Sequence, residues 1–418
     1  MDLSIVIPAH NEQQNIADAI VAARNTCDGL GIEYEIVAVD AGSTDGTHAA
    51  AQAAGAKAIR LSGKGYGTAL REGFAAAQGE FVLTMDADLS HPPAFIERLW
   101  QQRDRYEMII ASRYVPAAYG NMPLLRKLLS RISNLFFSRV LAIPVRDLSS
   151  GFRLYRRSVL MEPAPQSAHF EILQEILVSL YNRGYRIGEV PLYYKPRSAG
   201  AGHARTLQVG SSYLVHLFRL WKRRNHIDAA DYDFRAFYSR HFFQRYWQRK
   251  RYRLIEDDID AFGPILDVGC GSGVFAAQYP GVVGIDLRQD KLRFLSRFNH
   301  RVVKGEAGAL PFPDNYFATV ICSQVIEHTL DDRILPECAR VLRPGGVLIV
   351  GTVDYGSWQW PAIESVYQRV QPGGYADEHI NRYTSERLTA ELTALGLSVT
   401  DRDSILHAEI IFRARKPK

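Results

Sequence analysis

Cysteine is scarce in this chain. Cys27, Cys270, Cys322 and Cys338 are the only four in 418 residues, and no two stand at metal-ligand spacing. So few, so scattered, exclude a disulfide framework and fit a reducing cytosol. Long apolar runs are lacking too: none reaches the roughly 18 residues that suggest a membrane span. The opening Met1-Asp2-Leu3-Ser4-Ile5 has no charged region followed by a long apolar stretch, so no signal peptide is expected. There is no internal repeat. Hydrophobic residues at 47% and charged residues at 23% exclude disordered and fibrous classes. Net charge is small, +5 from 50 Lys/Arg and 45 Asp/Glu. What remains is an ordinary globular chain, long enough for two or three domains at about 150 residues each.

The first half alternates β-branched runs with helical patterns. Leu3–Ile7, Glu35–Val39 and Phe81–Met85 read as strands, and Glu12–Arg24, Thr47–Ala54 and Thr68–Ala77 read as helices. That alternation predicts a parallel sheet wrapped by helices. The same grammar restarts at Pro264–Val268 and continues through Val282–Asp286, Ala318–Cys322 and Val347–Val350. A fresh first strand with its own glycine loop predicts a second α/β domain. Between the two, Arg219–Arg253 holds eleven Lys/Arg against three Asp/Glu, with aromatics interleaved. The expected division is 1–222, a basic linker at 223–233, and 234–418.

Carboxylates gather at two strand ends of the first domain. One run reads Asp40-Ala41-Gly42-Ser43-Thr44-Asp45-Gly46, the other Met85-Asp86-Ala87-Asp88. Such positions line the ligand crevice of a parallel sheet. In extended chain, Asp86 and Asp88 would face the same side and share one hard cation, Mg²⁺ or Mn²⁺. A helix-capping turn is the plainer reading of either motif alone. Together they favour a metal–diphosphate site.

Seven ordered motifs sharpen this. VIPAHNE, VDAGSTDGT, GKGYGTALREGF, TMDADLSHPP, ASRY, DLSSGFR and GYRIGEVPLYY span roughly residues 1–220. Their order resembles the polyprenol-phosphate hexosyltransferases, the dolichol-phosphate mannose synthase-like branch of the inverting GT-A fold. The resemblance implies a nucleotide-sugar donor such as GDP-mannose or a UDP-hexose, and a polyprenyl phosphate acceptor. By resemblance Asp86 and Asp88 bind the metal, while Asp40, Pro8, Ala9 and Glu12 line the nucleoside pocket. Arg113, Arg153 and Arg197 would meet phosphates, for which a planar guanidinium is suited, with Arg205 or His203 standing in for the family's serine–lysine at the acceptor phosphate. Ala41 and Ser90 depart from the family's usual aspartate and glutamine, and the stretch after Arg197 lacks its usual serine–lysine.

In the second domain, Ile265-Leu266-Asp267-Val268-Gly269-Cys270-Gly271-Ser272-Gly273 closes a strand with three alternate glycines. They let the backbone approach a ligand and turn into a helix. Asp286 ends the next strand, placed to hold ribose hydroxyls. A dinucleotide would set its pyrophosphate against Asp267. S-adenosylmethionine has no phosphate and a cationic ammonium, so Asp267 suits it better. GEAGALPFPDNYFATVICSQVIEHTLD followed by ARVLRPGGVLIV is similar to the class I methyltransferases. That resemblance implies a Rossmann-like fold, with Glu306 and Ala307 at the adenine and Gln324, Glu327 and His328 bordering the cavity. His328 and His379 are candidate bases, and Trp358, Trp360 and Tyr375 a candidate acceptor lid.

The sequence therefore predicts a bifunctional transferase: hexose transfer from a nucleotide sugar to a polyprenyl phosphate or related glycan acceptor, and S-adenosylmethionine-dependent methylation of a glycan, lipid-linked or small-molecule acceptor. Leu124–Val145, with leucines on one helical face and Arg126, Lys127, Arg131 and Arg139 between them, predicts an interfacial helix on anionic lipid. A helix packed on the core fits the same pattern. With no spanning segment, the expected location is cytoplasmic, peripheral on the inner face of the membrane. Two alternatives stay open: a methyltransferase carried on an inactive glycosyltransferase scaffold, and nucleic-acid binding through the basic aromatic segment.

Overall fold

In the computed structural model, the described residues are 1–61, 65–120, 124–160, 164–194, 211–257, 259, 263–279, 281–370 and 379–418. The chain divides into two units, Met1–Arg224 and Asn225–Lys418.

Among the described residues, the first unit has nine strands: β1 Leu3–Ala9, β2 Tyr34–Asp40, β3 Lys57–Arg60, β4 Phe81–Thr84, β5 Met108–Ser112, β6 Tyr119–Gly120, β7 Arg153–Arg156, β8 Ile187–Pro191 and β9 Tyr193–Tyr194. Seven form one sheet in the order β3-β2-β1-β4-β7-β5-β8, and β6 pairs with β9. β1, β2, β3 and β4 are parallel; β7 runs antiparallel to both of its neighbours. β1 is buried at all seven positions, as expected of a strand covered on both faces. Alternate residues feed opposite cores. Val6, Val37, Val39 and Val82 enter one cluster, and Ile5, Ile7, Ile36 and Leu83 the other. The helix Ile16–Leu30 buries Ile16, Ala19, Ile20, Ala23 and Cys27, one stripe at helical spacing, and Gly31 ends it at φ 64°.

From β1 the chain moves outward through β2 to β3, then returns to β4 on the other side of β1. That reversal is a topological switch point, where open α/β sheets bind ligands. Register places Ala9 beside Asp40, and Met85 N donates to Val6 O, so the ends of β1, β2 and β4 meet there.

The second unit is built on β10 Ile265–Val268, β11 Val282–Asp286, β12 Val302–Lys304, β13 Phe317–Ser323, β14 Leu342–Val353, β15 Ser398–Ile405 and β16 Glu409–Arg415. Their order is β12-β11-β10-β13-β14-β16-β15, with β16 antiparallel to both neighbours. The switch point here lies between β10 and β13. This is the doubly wound architecture expected of both halves.

Two local expectations change. The helix starting at Leu124 ends at Val140; Leu141, Ile143 and Val145 beyond it are core residues. The linker segment 223–233 is partly helical. A helix, Ser211–Asn225, runs into it, and Tyr232–Phe237 forms a short one. Arg224 is fully buried, donating to the Leu141 and Ala142 carbonyls.

Candidate functional sites

In the first unit, Pro8 and Ala9 end β1 and are buried, Asp40 ends β2, and Asp86 and Asp88 follow β4. Asp40 is buried. Its Oδ1 accepts from Ser43 N at 2.8 Å, while Oδ2 lies 3.6 Å from Arg60 Nε and accepts no hydrogen bond among the described residues. An orphaned carboxylate oxygen is costly unless a ligand donor meets it. Glu12 sits just beyond β1, its N–H donating to Thr47 and its carboxylate accepting from Asn15.

Asp86 and Asp88 are not in extended chain. β4 ends at Thr84, Leu89 stands at φ 59°, and Ser90 N donates to Asp88 Oδ1 at 3.0 Å. The buried Asp88 carboxylate therefore closes a tight Asx turn, and Asp86, just before it, is 35% exposed. Oxygen-only donors of this kind suit Mg²⁺ or Mn²⁺ held jointly with a diphosphate. His91, a neighbour the sequence left unassigned, binds Asp86 twice over. Its Nδ1 accepts from Asp86 N at 3.1 Å, and its Nε2 lies 3.7 Å from Asp86 Oδ2. Burial, with Asp86 next in effect, raises the Tyr66 hydroxyl well above its ordinary range, so it remains a neutral donor beside Asp86.

The expected phosphate arginines stand differently. Arg153 is fully buried, with Nε on Ser150 O at 2.6 Å, Nη1 on Leu173 O at 2.7 Å and Nη2 on Leu148 O at 2.7 Å. It braces the loop after Leu148 instead of facing a ligand. Arg113 forks onto Asp147 through Nε and Nη2, both at 2.8 Å, and reaches Ser149 Oγ at 2.8 Å. Burial alone would raise the Asp147 carboxyl, but Arg113's charge and hydrogen bonds outweigh it and hold it below the usual range. Arg197 and Arg205 lie outside the described residues, as do His203 and Tyr375.

The second unit holds a cavity of about 1460 Å³ at its switch point. Asp267, Gly269, Gly271, Gly273, Asp286, Glu306, Ala307, Gln324 and His328 all line it. Gly269 has φ 69°, and a Cβ there would come within 2.3 Å of Val325 Cγ2; Gly271, at φ 52°, would meet Asp233 Oδ2 at 2.7 Å. Only glycine fits either place. Asp286 accepts from Gly271 N and Arg288 N, both at 2.8 Å, and each oxygen keeps a lone pair for a ribose hydroxyl. Burial, with Asp286 adding, pushes the Asp267 carboxyl up to about 7. A buried carboxyl with no compensating cation among the described residues fits the ammonium of S-adenosylmethionine.

Sequence reasoning missed Asp233. Its Oδ2 accepts from Ser272 N and Oγ at 3.2 Å and from Lys291 Nζ at 3.0 Å, tying the glycine loop down from 39 residues away. The basic aromatic segment is exposed at Phe242, Phe243 and Tyr246 yet also contributes to this cavity. Phe237, Phe243, Tyr246, Trp247 and Tyr252 wall the cavity, and Arg251 forks onto the buried Glu409 at 2.5 and 2.7 Å. Burial raises Glu327 to about 7 and lowers His379 to about 4, His328 adding to the latter. Trp360 lines the same cavity beside His379, while Trp358 is exposed.

Residues 4–162 match the family model for glycosyl transferase family 2, and residues 266–350 match that of a methyltransferase domain. A dolichol-phosphate mannosyltransferase of Pyrococcus furiosus is 33% identical over 238 residues, covering 54% of this chain and 66% of its own length. Glycosyltransferase AglJ of Haloferax volcanii is 30% identical, covering 53% of this chain and 72% of its own. A polyprenol monophosphomannose synthase of Mycolicibacterium smegmatis is 30% identical over 54% of this chain and 89% of its own. Among solved structures, glucosyl-3-phosphoglycerate synthase of Mycobacterium tuberculosis is 23% identical over 52% of this chain and 79% of its own, with a TM-score of 0.43.

Proposed function

Because the chain belongs to glycosyl transferase family 2 and carries a methyltransferase domain behind it, we propose that it joins two transfer reactions in one polypeptide. Its first unit moves a hexose from a nucleotide sugar, GDP-mannose or a UDP-hexose, to a polyprenyl phosphate. Its second methylates a glycan or lipid-linked acceptor. The observation that carries the first reaction is the meeting of Asp40, Asp86 and Asp88 at one switch point. The printed names of two relatives, a dolichol-phosphate mannosyltransferase and a polyprenol monophosphomannose synthase, support the acceptor class.

Asp86 and Asp88 would hold Mg²⁺ or Mn²⁺, which when bound neutralises the leaving nucleoside diphosphate. The rest falls to the chain. Asp40 and the buried wall of Pro8 and Ala9 orient the nucleoside, with Glu12 at its edge. An acceptor phosphate oxygen, already ionised at neutral pH, attacks the anomeric carbon as its bond to the diphosphate breaks on the opposite face. No hydroxyl is deprotonated, so no strong base is needed, and the rate comes from alignment and charge stabilisation. Arg113 and Arg153 act here as positioning residues, fixing the segment 147–153 against the end of β4; Arg197 and Arg205 remain the proposed contacts to acceptor phosphate.

In the second unit, Asp267 takes the ammonium of S-adenosylmethionine, Asp286 the ribose, and Glu306 and Ala307 the adenine, leaving Gln324 and His328 on the acceptor side. The methyl then passes in line from sulfonium to nucleophile.

Membrane attachment belongs to the same reading. No helix among the described residues is long and apolar enough to cross a membrane. The helix Leu124–Val140 nevertheless exposes Leu125 at 70%, Leu129 at 60% and Ile132 at 55%, which suits a lipid surface. The test is incubation with labelled nucleotide sugars, Mn²⁺ and a polyprenyl phosphate, followed by S-adenosylmethionine. Asp88→Ala is expected to abolish sugar transfer and leave S-adenosylmethionine binding intact. Full transfer by that variant would refute the metal assignment.

A further inference from the structure

β13 ends at Ser323, and the chain turns through Gln324, at φ 60°, into a short turn of helix, Ile326–His328. A segment 51 residues later returns to it. The Glu327 carbonyl accepts from Ile380 N at 3.0 Å and Asn381 N at 3.1 Å, and Asn381 Nδ2 donates to Thr329 O at 3.3 Å. Those bonds bring the His379 ring to 4.9 Å from that of His328. One ligand atom each from Glu327, His328 and His379 lies within 4.8 Å of the others.

Two further features mark this as a built site. Glu327 is fully buried, yet only one of its oxygens is engaged. Oε2 accepts from Thr352 Oγ1 at 3.1 Å, while Oε1 accepts no hydrogen bond among the described residues. The tautomer of His379 is set from behind. Tyr355 Oη donates to Glu364 Oε1 at 2.7 Å, so its lone pair is what meets His379 Nδ1 at 3.2 Å. Nδ1 therefore carries the proton, and Nε2 keeps an open lone pair. A carboxylate relayed onto the far side of an imidazole is how proteins orient histidine toward a metal.

We propose that Glu327, His328 and His379 bind a divalent transition-metal cation in the second unit, separate from the cation expected at Asp86 and Asp88. One carboxylate oxygen and two imidazole nitrogens suit Mn²⁺, Co²⁺ or Zn²⁺; Mg²⁺ and Ca²⁺ prefer all-oxygen sets. His328 and His379 line the cavity that also holds Asp267 and the glycine loop, so the cation faces the methyl acceptor. Its role there rests on the methyl-transfer reading: it binds an acceptor hydroxyl and eases loss of its proton. The carbon–sulfur bond then breaks with its electron pair staying on sulfur, the oxygen–methyl bond forms, and the hydroxyl proton passes to solvent. This assigns the methyl acceptor to oxygen nucleophiles.

Cobalt(II) titration of the full chain, followed by its visible absorption, tests the site without any turnover. One equivalent with ligand-field bands is expected, persisting in the double variant Asp86→Asn/Asp88→Asn. His379→Ala and His328→Ala should each weaken cobalt binding at least tenfold, while S-adenosylmethionine binding by calorimetry reports that the unit is folded. Bands that survive in either folded histidine variant, or that vanish with Asp86 and Asp88, overturn the site. Intact cobalt binding in a chain that does not bind S-adenosylmethionine would overturn only the methyl-transfer reading.

Discussion

Arg153 shows how far one side chain's role depends on what surrounds it. All three of its nitrogens donate to carbonyls in a fully buried setting. Arg153→Met would orphan those acceptors at about 1–3 kcal/mol each, so the loss should exceed about 3 kcal/mol and appear as a lowered thermal midpoint. A phosphate ligand would instead raise KM and leave the midpoint alone. Asp267 makes a second residue-scale prediction. Its folded carboxyl titrates near 7, above an ordinary value of about 3.9. The raised value means the folded apo state loses stability as pH rises from about 4 to about 7 and then levels off. The ammonium of S-adenosylmethionine favours the ionised carboxyl, so affinity should fall toward tenfold per pH unit below about 7. Calorimetry across that range should find Asp267→Asn weak and flat. The carboxylates at strand ends were legible in the sequence because strand ends carry local signals. The burial of Arg153 was not, since its acceptors at Leu148 and Leu173 are placed only by the tertiary fold.

At the scale of elements, the helix Leu124–Val140 and the helix Phe242–Glu256 look alike in sequence, both basic and apolar, yet the fold spends them differently. In the second, Arg251 turns inward to Glu409, 158 residues away, and Trp247 and Tyr252 wall the cavity. No local pattern could announce a partner that distant. In the first, Leu125, Leu128, Leu129, Ile132, Leu135 and Phe136 all stay exposed. Periodicity alone left that helix undecided between core and lipid; Phe137 is buried, and the exposed leucines are what the membrane proposal rests on. Burying a leucine or isoleucine side chain contributes about 1.5–3 kcal/mol. Leu128→Glu with Ile132→Glu should therefore cost at least about 3 kcal/mol, roughly a hundredfold in partitioning. Cosedimentation with anionic-lipid vesicles measures it, and unchanged partitioning would remove this helix from the membrane reading.

For the whole molecule, the first four positions of the strand order, β3-β2-β1-β4 and β12-β11-β10-β13, follow the same pattern in both sheets, and each proposed ligand site stands at its own strand-order reversal, beside β1 and β4 in one unit and β10 and β13 in the other. The doubly wound plan was legible from two separate restarts of strand and glycine loop. The burial of Arg224 and Tyr232 in the basic stretch between them was not, because their surroundings are set by the tertiary fold. Each ligand should therefore stabilise through its own unit alone. A ligand at a hundred times its Kd adds about 2.7 kcal/mol to the state that binds it. In thermal unfolding of the full chain, S-adenosylmethionine should raise a transition that Asp267→Asn no longer raises and that Asp86→Asn/Asp88→Asn leaves responsive. A nucleoside diphosphate with Mn²⁺ should show the reverse pattern. If one pair of substitutions abolished both shifts, the assignment of each site to its own sheet would fail, because loss of a carboxylate at one switch point removes binding energy only for the ligand seated there.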